Sequence, residues 1–193
     1  MSRASDHRAF SGTALEYFAA HAIDPVLAAG VGVTERCGSL IYPCVDSEGT
    51  FERTRALIDN SGKRTMQPKG RDLACWWPRG RPAQAYRVLV CEGEPDALAA
   101  LSAIALADGL PEAPKELLED LSVVAVPGTG FNAKRLVDEL RQVGAQHVAL
   151  ASDGDSAGEQ FAERMDAALR AAGLQGSRLP LPENADLRLS RSA

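Results

Sequence analysis

The sequence predicts an α/β fold: a parallel sheet flanked by helices, preceded by a smaller basic α+β subdomain. Three observations predict it. From Arg87 onward, short apolar runs at Val88 to Cys91, Val123 to Val126 and His147 to Ala151 alternate with helical patterns. Those patterns cover Pro95 to Ala107, Ala133 to Gln142 and Ser156 to Ala172, and the alternation is the rhythm of βαβ units. Strands that are apolar throughout, without polar alternation, belong to a sheet covered on both faces. Finally, formal charge changes sign along the chain, +3 over residues 1–87 and −8 over residues 88–193.

Each element follows from local chemistry. Ser11 to Ala29 reads as a helix, a break at Asp24-Pro25 and a short second helix, because Pro fits a first helical turn and Asp caps it. GSLIYPCVDSEGTFERTRALID reads as two strands joined by a turn from Asp46 to Gly49. Residues 59–85 are polar and rich in Gly and Pro, a loop-rich strip with one short strand. Trp76 and Trp77 are expected to plug a core edge in preference to forming a stacking platform for bases. In the second half Gly173 closes the third helix, and a fourth short strand is expected at Ser177 to Leu181.

Composition excludes several function classes. At 193 residues and 45% hydrophobic the chain can bury a core, so wholesale disorder is out. No apolar run approaches the roughly 18 residues that span a bilayer, and MSRASDHRAFSG lacks the apolar stretch of a secretory signal. A cytoplasmic protein without a membrane partner is expected. Cys37, Cys44, Cys75 and Cys91 form no CxxC pair, so no structural zinc is expected, and Cys91 reads as a buried free thiol. His7, His21 and His147 show no catalytic arrangement. Nine basic residues between Arg53 and Arg87 face only Asp59 and Asp72, a local +7. A cationic segment beside an acidic half suits a site where polyanions meet bound metal ions.

In parallel sheets function collects at the carboxyl ends of the strands, here CEGEPD, VPGTGFN and ASDGDSAG. Glu92-Gly93 follows the first strand and Asp96 opens the next helix. Asp153 and Asp155 follow the third strand, and residues i and i+2 of an extended chain share a face. Like charges that close repel, and with Glu92 at a second strand end of the same sheet they point to a bound cation. Oxygen ligands alone suit Mg²⁺ or Mn²⁺. Helix capping is the competing reading for either aspartate taken singly. Gly128-Thr129-Gly130 reads as a phosphate contact or, equally, as a tight turn.

Together, Glu92-Gly93 with Asp96, the Gly128-Thr129 turn, and Asp153-Gly154-Asp155 with Ala157-Gly158 resemble the TOPRIM domain over roughly residues 86–186. That domain is shared by DnaG-type primases, type IA and type II topoisomerases and OLD-type nucleases. The first half resembles the basic subdomain ahead of TOPRIM in bacterial and phage primases. The matching pieces are LIYPCVD, Asp46 with Gly49, ERTRALI, and KRTMQPKG, with Lys63 as the family lysine and Lys69 as its fallback. Met66 falls where the family tends to have a polar residue. The division that follows is a basic primase-like subdomain at 1–86, a TOPRIM domain at 87–186 and a tail at 187–193.

The resemblance implies metal-dependent nucleotidyl transfer, primase-type synthesis of short RNA primers on single-stranded DNA from nucleoside triphosphates. It implies Glu92, Asp153 and Asp155 as catalytic metal ligands for Mg²⁺ or Mn²⁺, and Asp96 and Asp186 as further metal-site carboxylates. Arg53, Arg55, Lys63 and Lys69 are implied as nucleotide or template contacts, and a replicative helicase as a possible partner. The zinc module and the helicase-binding helical module of such primases have no counterpart in these residues. The expectation is a minimal primase core of a phage or mobile element, or a derivative with altered activity. The alternatives are a TOPRIM nuclease using the same carboxylates on water, and a non-catalytic nucleic-acid-binding domain. A topoisomerase has too little room for its strand-gate and tyrosine-bearing modules.

Overall fold

The computed structural model describes residues 10–57, 65–71, 73–108, 120–128 and 130–179. Two short helices open the chain, α1 (Gly12–Ala20) and α2 (Pro25–Gly30). Ser11 caps α1, and the Asp24 carboxylate accepts the N–H groups of Val26 and Leu27 at the start of α2. An antiparallel sheet follows in the order β1 (Thr34–Arg36), β2 (Ser39–Asp46), β3 (Gly49–Ala56) and β4 (Thr65–Met66). The β2–β3 hairpin turns between Asp46 and Gly49, as the sequence predicts. Asp46 Oδ1 accepts the Glu48 N–H at 2.9 Å, and Gly49 takes φ +114°, a conformation open to glycine.

The second sheet is parallel, in the order β6-β5-β7-β8, built from β5 (Arg87–Cys91), β6 (Leu121–Ala125), β7 (His147–Ala151) and β8 (Gln175–Arg178). Helices α3 (Glu94–Asp108), α4 (Ala133–Gln142) and α5 (Ser156–Ala171) connect them. Alternate residues of β5 enter different apolar clusters. Leu89 and Cys91 pack with Ala97, Leu98 and Leu101 of α3, while Val88 and Val90 pack with Leu136 and Leu140 of α4 and Phe161 of α5. Both faces are therefore covered, which explains why these strands carry no polar alternation.

The cluster on the α3 side does not stop at the parallel sheet. It continues through Phe18, Leu40, Tyr42 and Trp76 into the antiparallel half. Trp76 exchanges both backbone hydrogen bonds with Ala125 at 2.8 Å, and its indole N–H donates to the Pro43 carbonyl at 2.8 Å. It thus holds β6 with one end and β2 with the other. Trp76 and Trp77 are buried, so both tryptophans serve the core. Two elements depart from expectation. β1 pairs with β2 although Thr34-Glu35-Arg36 has no apolar alternation. β8 begins at Gln175, two residues before the expected Ser177, where its parallel register with β7 sets it. Among the described residues no helix is long and apolar enough to cross a membrane.

Candidate functional site

Cys91 pairs in register with Ala125 on one side and Ala151 on the other, so the chain leaves β5, β6 and β7 at one level. Three loops meet there. The Gly128 N–H donates to the Glu92 carbonyl at 3.2 Å, and Gly128 takes φ +88°, which favours glycine. The Asp153 N–H lies 3.4 Å from Glu92 Oε2. Glu92 and Asp153 are therefore neighbours, as the spacing of the motifs implies.

Asp155 behaves differently. Its side chain is exposed and accepts the Gly158 N–H at 2.8 Å, capping α5. The i, i+2 reading assumes an unbroken extended chain, whereas the chain bends at Gly154 and Asp155 before the helix begins at Ser156. Among the described residues no three His, Cys, Asp or Glu side chains are gathered closely enough to hold an ion. The donor set itself suits a hard cation: oxygen only, from adjoining strand ends of one sheet. Glu92, Asp153 and Asp155 are the residues that would hold Mg²⁺ or Mn²⁺.

Asp96 is buried in the first turn of α3. A Cβ on Gly93 would stand 3.0 Å from Asp96 Oδ2, so the glycine lets the loop pass over that carboxylate. The thiol of Cys91, held at the strand end below, is pushed up by burial and then by the charge of Asp96.

A cleft of about 320 Å³ opens against this edge. One wall is Arg53, Arg55, Thr65, Met66 and Gln67 from the antiparallel half, and the other is Glu92, Gly93, Glu94, Pro127 and Gly128. The basic and acidic halves of the sequence meet here. The Arg55 guanidinium lies 5.8 Å above the Tyr17 ring of α1 and stays half-exposed. A larger hollow, about 550 Å³, is lined by Pro43, Asp46, Trp76, Trp77, Arg135 and Glu139, among others. It mixes both charge signs and touches none of the expected site residues, whereas the smaller cleft is lined by Arg53, Arg55 and Glu92, though not by Asp153 or Asp155.

Arg53 requires a correction. The sequence places it among the nucleotide or template contacts, yet it is 1% exposed. Its guanidinium pairs with the buried Glu94 carboxylate and donates to the Ala74 carbonyl at 2.9 Å. Its charge is thus compensated within the protein although it lines the cleft. Lys69 stands exposed in the turn after Pro68 and is not among the residues that line the cleft. Lys63 and Asp186 lie outside the described residues. Sequence reasoning missed Glu94. Its signal was present in Glu92-Gly93-Glu94-Pro95-Asp96, where a third carboxylate at a helix start exceeds what one cap requires.

A Toprim-like family model matches residues 89–188. No curated protein matches the chain in sequence. Among solved structures, the zinc-binding and RNA polymerase domains of the Aquifex aeolicus primase superpose with a TM-score of 0.67 at 17% identity. That match covers 92% of this chain and 52% of the other, so the chain spans about half that fragment's length. The primase fragment of the bacteriophage T7 primase-helicase protein gives 0.61 at 18% identity, covering 88% of this chain and 66% of that one. A T7 assembly of lagging-strand DNA polymerase with primase domains bound to an RNA/DNA hybrid and dTTP gives 0.60 at 17%, covering 86% and 80%. At such identities the likeness is one of fold, and it extends over the antiparallel half as well as the parallel sheet. With residues 89–188, more than half its length, matched by that model, the chain belongs to the Toprim-like family.

Proposed function

We propose that the chain is a primase-type nucleotidyltransferase that makes short RNA primers on single-stranded DNA from nucleoside triphosphates. The observation that carries this reading is the cleft in which Arg55 of the basic half faces Glu92 of the carboxylate edge. A nuclease acting through the same carboxylates has no need of a cationic wall for a triphosphate. Primer extension consists of attack by a ribonucleotide 3′-oxygen on the α-phosphorus of the incoming triphosphate. The 3′-hydroxyl gives its proton to solvent as one P–O bond forms, the bond to the α–β bridging oxygen breaks, and pyrophosphate leaves with that electron pair.

A divalent ion, when bound, neutralises the triphosphate and the charge that develops on it. The protein's own part is positioning and electrostatics. Glu92 and Asp153 supply oxygens from adjacent strand ends, and Asp155 contributes from the start of α5. Arg55, steadied by Tyr17, receives the phosphate oxygens across the cleft. Asp96, buried against the Gly93 turn, supports that loop. Template and a replicative helicase are the implied partners.

The test is a gel assay on single-stranded DNA with labelled nucleotides and Mg²⁺ or Mn²⁺, with Asp153→Asn beside the wild type and end-labelled template in parallel lanes. New oligonucleotides that vanish in Asp153→Asn support the reading. Shortened template without synthesis transfers the protein to the nuclease branch and overturns it.

A further inference from the structure

Two carboxylates stand either side of Gly93, and their environments differ. Glu92 is half-buried at the end of β5 and reaches the Asp153 N–H. Glu94, at the first residue of α3, is 3% exposed and paired with Arg53. Arg53 comes from β3 of the other half, opposite Tyr42 in the β2–β3 ladder. Its guanidinium divides among three acceptors: the Glu94 carboxylate, the Ala74 carbonyl at 2.9 Å and Gln67 Oε1 at 3.5 Å. A planar fork can serve acceptors in three directions, which a lysine ammonium on a flexible stem does poorly. All three groups, Arg53, Glu92 and Glu94, line the same cleft.

A buried carboxylate two residues from a metal-binding one is a competitor for the cation unless something else engages it. We infer that Arg53 and Glu94 form a positioning pair: anchored on β3, Arg53 holds Glu94 away from a divalent cation and fixes the Glu92-Gly93 loop at the cleft. Neither residue touches the reacting atoms; they act through Glu92. The inference rests on the nucleotidyl-transfer reading of the same cleft and adds to it a strut between the two halves of the chain.

The test uses the full chain. Mn²⁺ affinity is measured by the electron paramagnetic resonance of free ion, alongside melting temperature and the separate kcat and KM for primer synthesis. The variants are Asp153→Asn, Arg53→Gln, Arg53→Lys and Glu94→Gln. Loss of a residue that orients a metal ligand weakens affinity about tenfold or more, so folded Arg53→Gln should bind Mn²⁺ that much more weakly, with kcat falling more than KM rises. Charge alone predicts the opposite, because removing a nearby cation tightens Mn²⁺ binding. Arg53→Lys, which keeps the charge but not the fork, should stay clearly weaker than wild type, because an ammonium cannot serve the three acceptors at once. If Arg53→Gln does not fold, Glu94→Gln replaces it and should weaken Mn²⁺ binding with the fold intact.

Wild-type or tighter Mn²⁺ binding in the folded variant overturns the pair. If Asp153→Asn loses Mn²⁺ while Arg53→Gln keeps it, the pair falls and the metal reading stands. If the wild type binds no Mn²⁺, or Asp153→Asn binds it equally well, both fall.

Discussion

Gly158 lies against the backbone of Asp153: a Cβ at position 158 would stand 2.1 Å from the Asp153 carbonyl oxygen. The helix that begins after Asp155 can pack against the strand-end loop only because that Cβ is missing. Neither the carbonyl nor the helix backbone can yield as the tip of a flexible side chain does. Gly158→Ala should therefore cost about 1–3 kcal/mol or more and displace Asp153. Urea melts measure the first effect, and Mn²⁺ titration of the surviving folded protein the second. A melt indistinguishable from wild type would contradict the packing described.

The two roles open to Asp155 separate by substitution. Asp155→Ala removes the α5 cap and should cost about 1 kcal/mol. Asp155→Asn keeps a good cap and removes the charge, so stability should stay within a few tenths of a kcal/mol while metal-dependent activity falls. Thermal melts run beside the primer gel decide it; full activity in Asp155→Asn leaves capping as its whole role.

Arg55 is held over the Tyr17 ring, so the two residues should act together on substrate binding. Arg55→Ala should raise the KM for nucleotide by about tenfold or more, the loss of one charge-assisted contact, with a smaller change in kcat. Tyr17→Leu should move KM in the same direction by a smaller factor, since an exposed cation–π contact is worth about 0.5–1 kcal/mol. Steady-state kinetics on both variants, and on the double, would show whether the effects overlap.

Thiol chemistry should report the fold directly. The four cysteines are free, with Cys37 exposed and Cys44, Cys75 and Cys91 buried. Near pH 8 a thiol-specific disulfide reagent should titrate one thiol in the native chain and four after denaturation. Burial pushes Cys44 from 9.0 up to about 11, and pushes Cys75, Cys91 and the Tyr42 phenol upward as well. In the unfolded chain these groups lose their protons first. Their stabilising effect is thus complete below pH 9 and is lost as pH rises from about 9 toward 11, with Cys44 alone contributing on the order of 2 kcal/mol. Denaturant midpoints from pH 8 to 11 should fall along that window; a midpoint constant to pH 11 would contradict the burial.

The parallel half was legible because its signals are local. An apolar run, a glycine turn and a capped helix repeat three times, and α4 over Ala133–Gln142 and β7 over His147–Ala151 have the predicted bounds. β1 was not legible, since Thr34-Glu35-Arg36 becomes a strand only by pairing with Ser39, Leu40 and Ile41 of β2. Charge identified the basic and acidic walls but not which arginine faces solvent. Arg53 and Arg55 look equivalent in the sequence; a partner 41 residues away buries one and leaves the other half-exposed. Asp155 was ambiguous for a different reason, because a metal ligand and a helix cap require the same residue type in the same place.

Trp76 joins β6 to β2 near the wall of one hollow, and Arg53 joins β3 to α3 at the cleft itself. Two fastenings at separate points, together with a core cluster that runs from one half into the other, tie the halves across the cleft. A cleft fastened in this way should offer its shape to an incoming molecule without a closing motion, so that affinity carries little penalty for domain closure and encounter is helped by the charge of Arg55 on its wall.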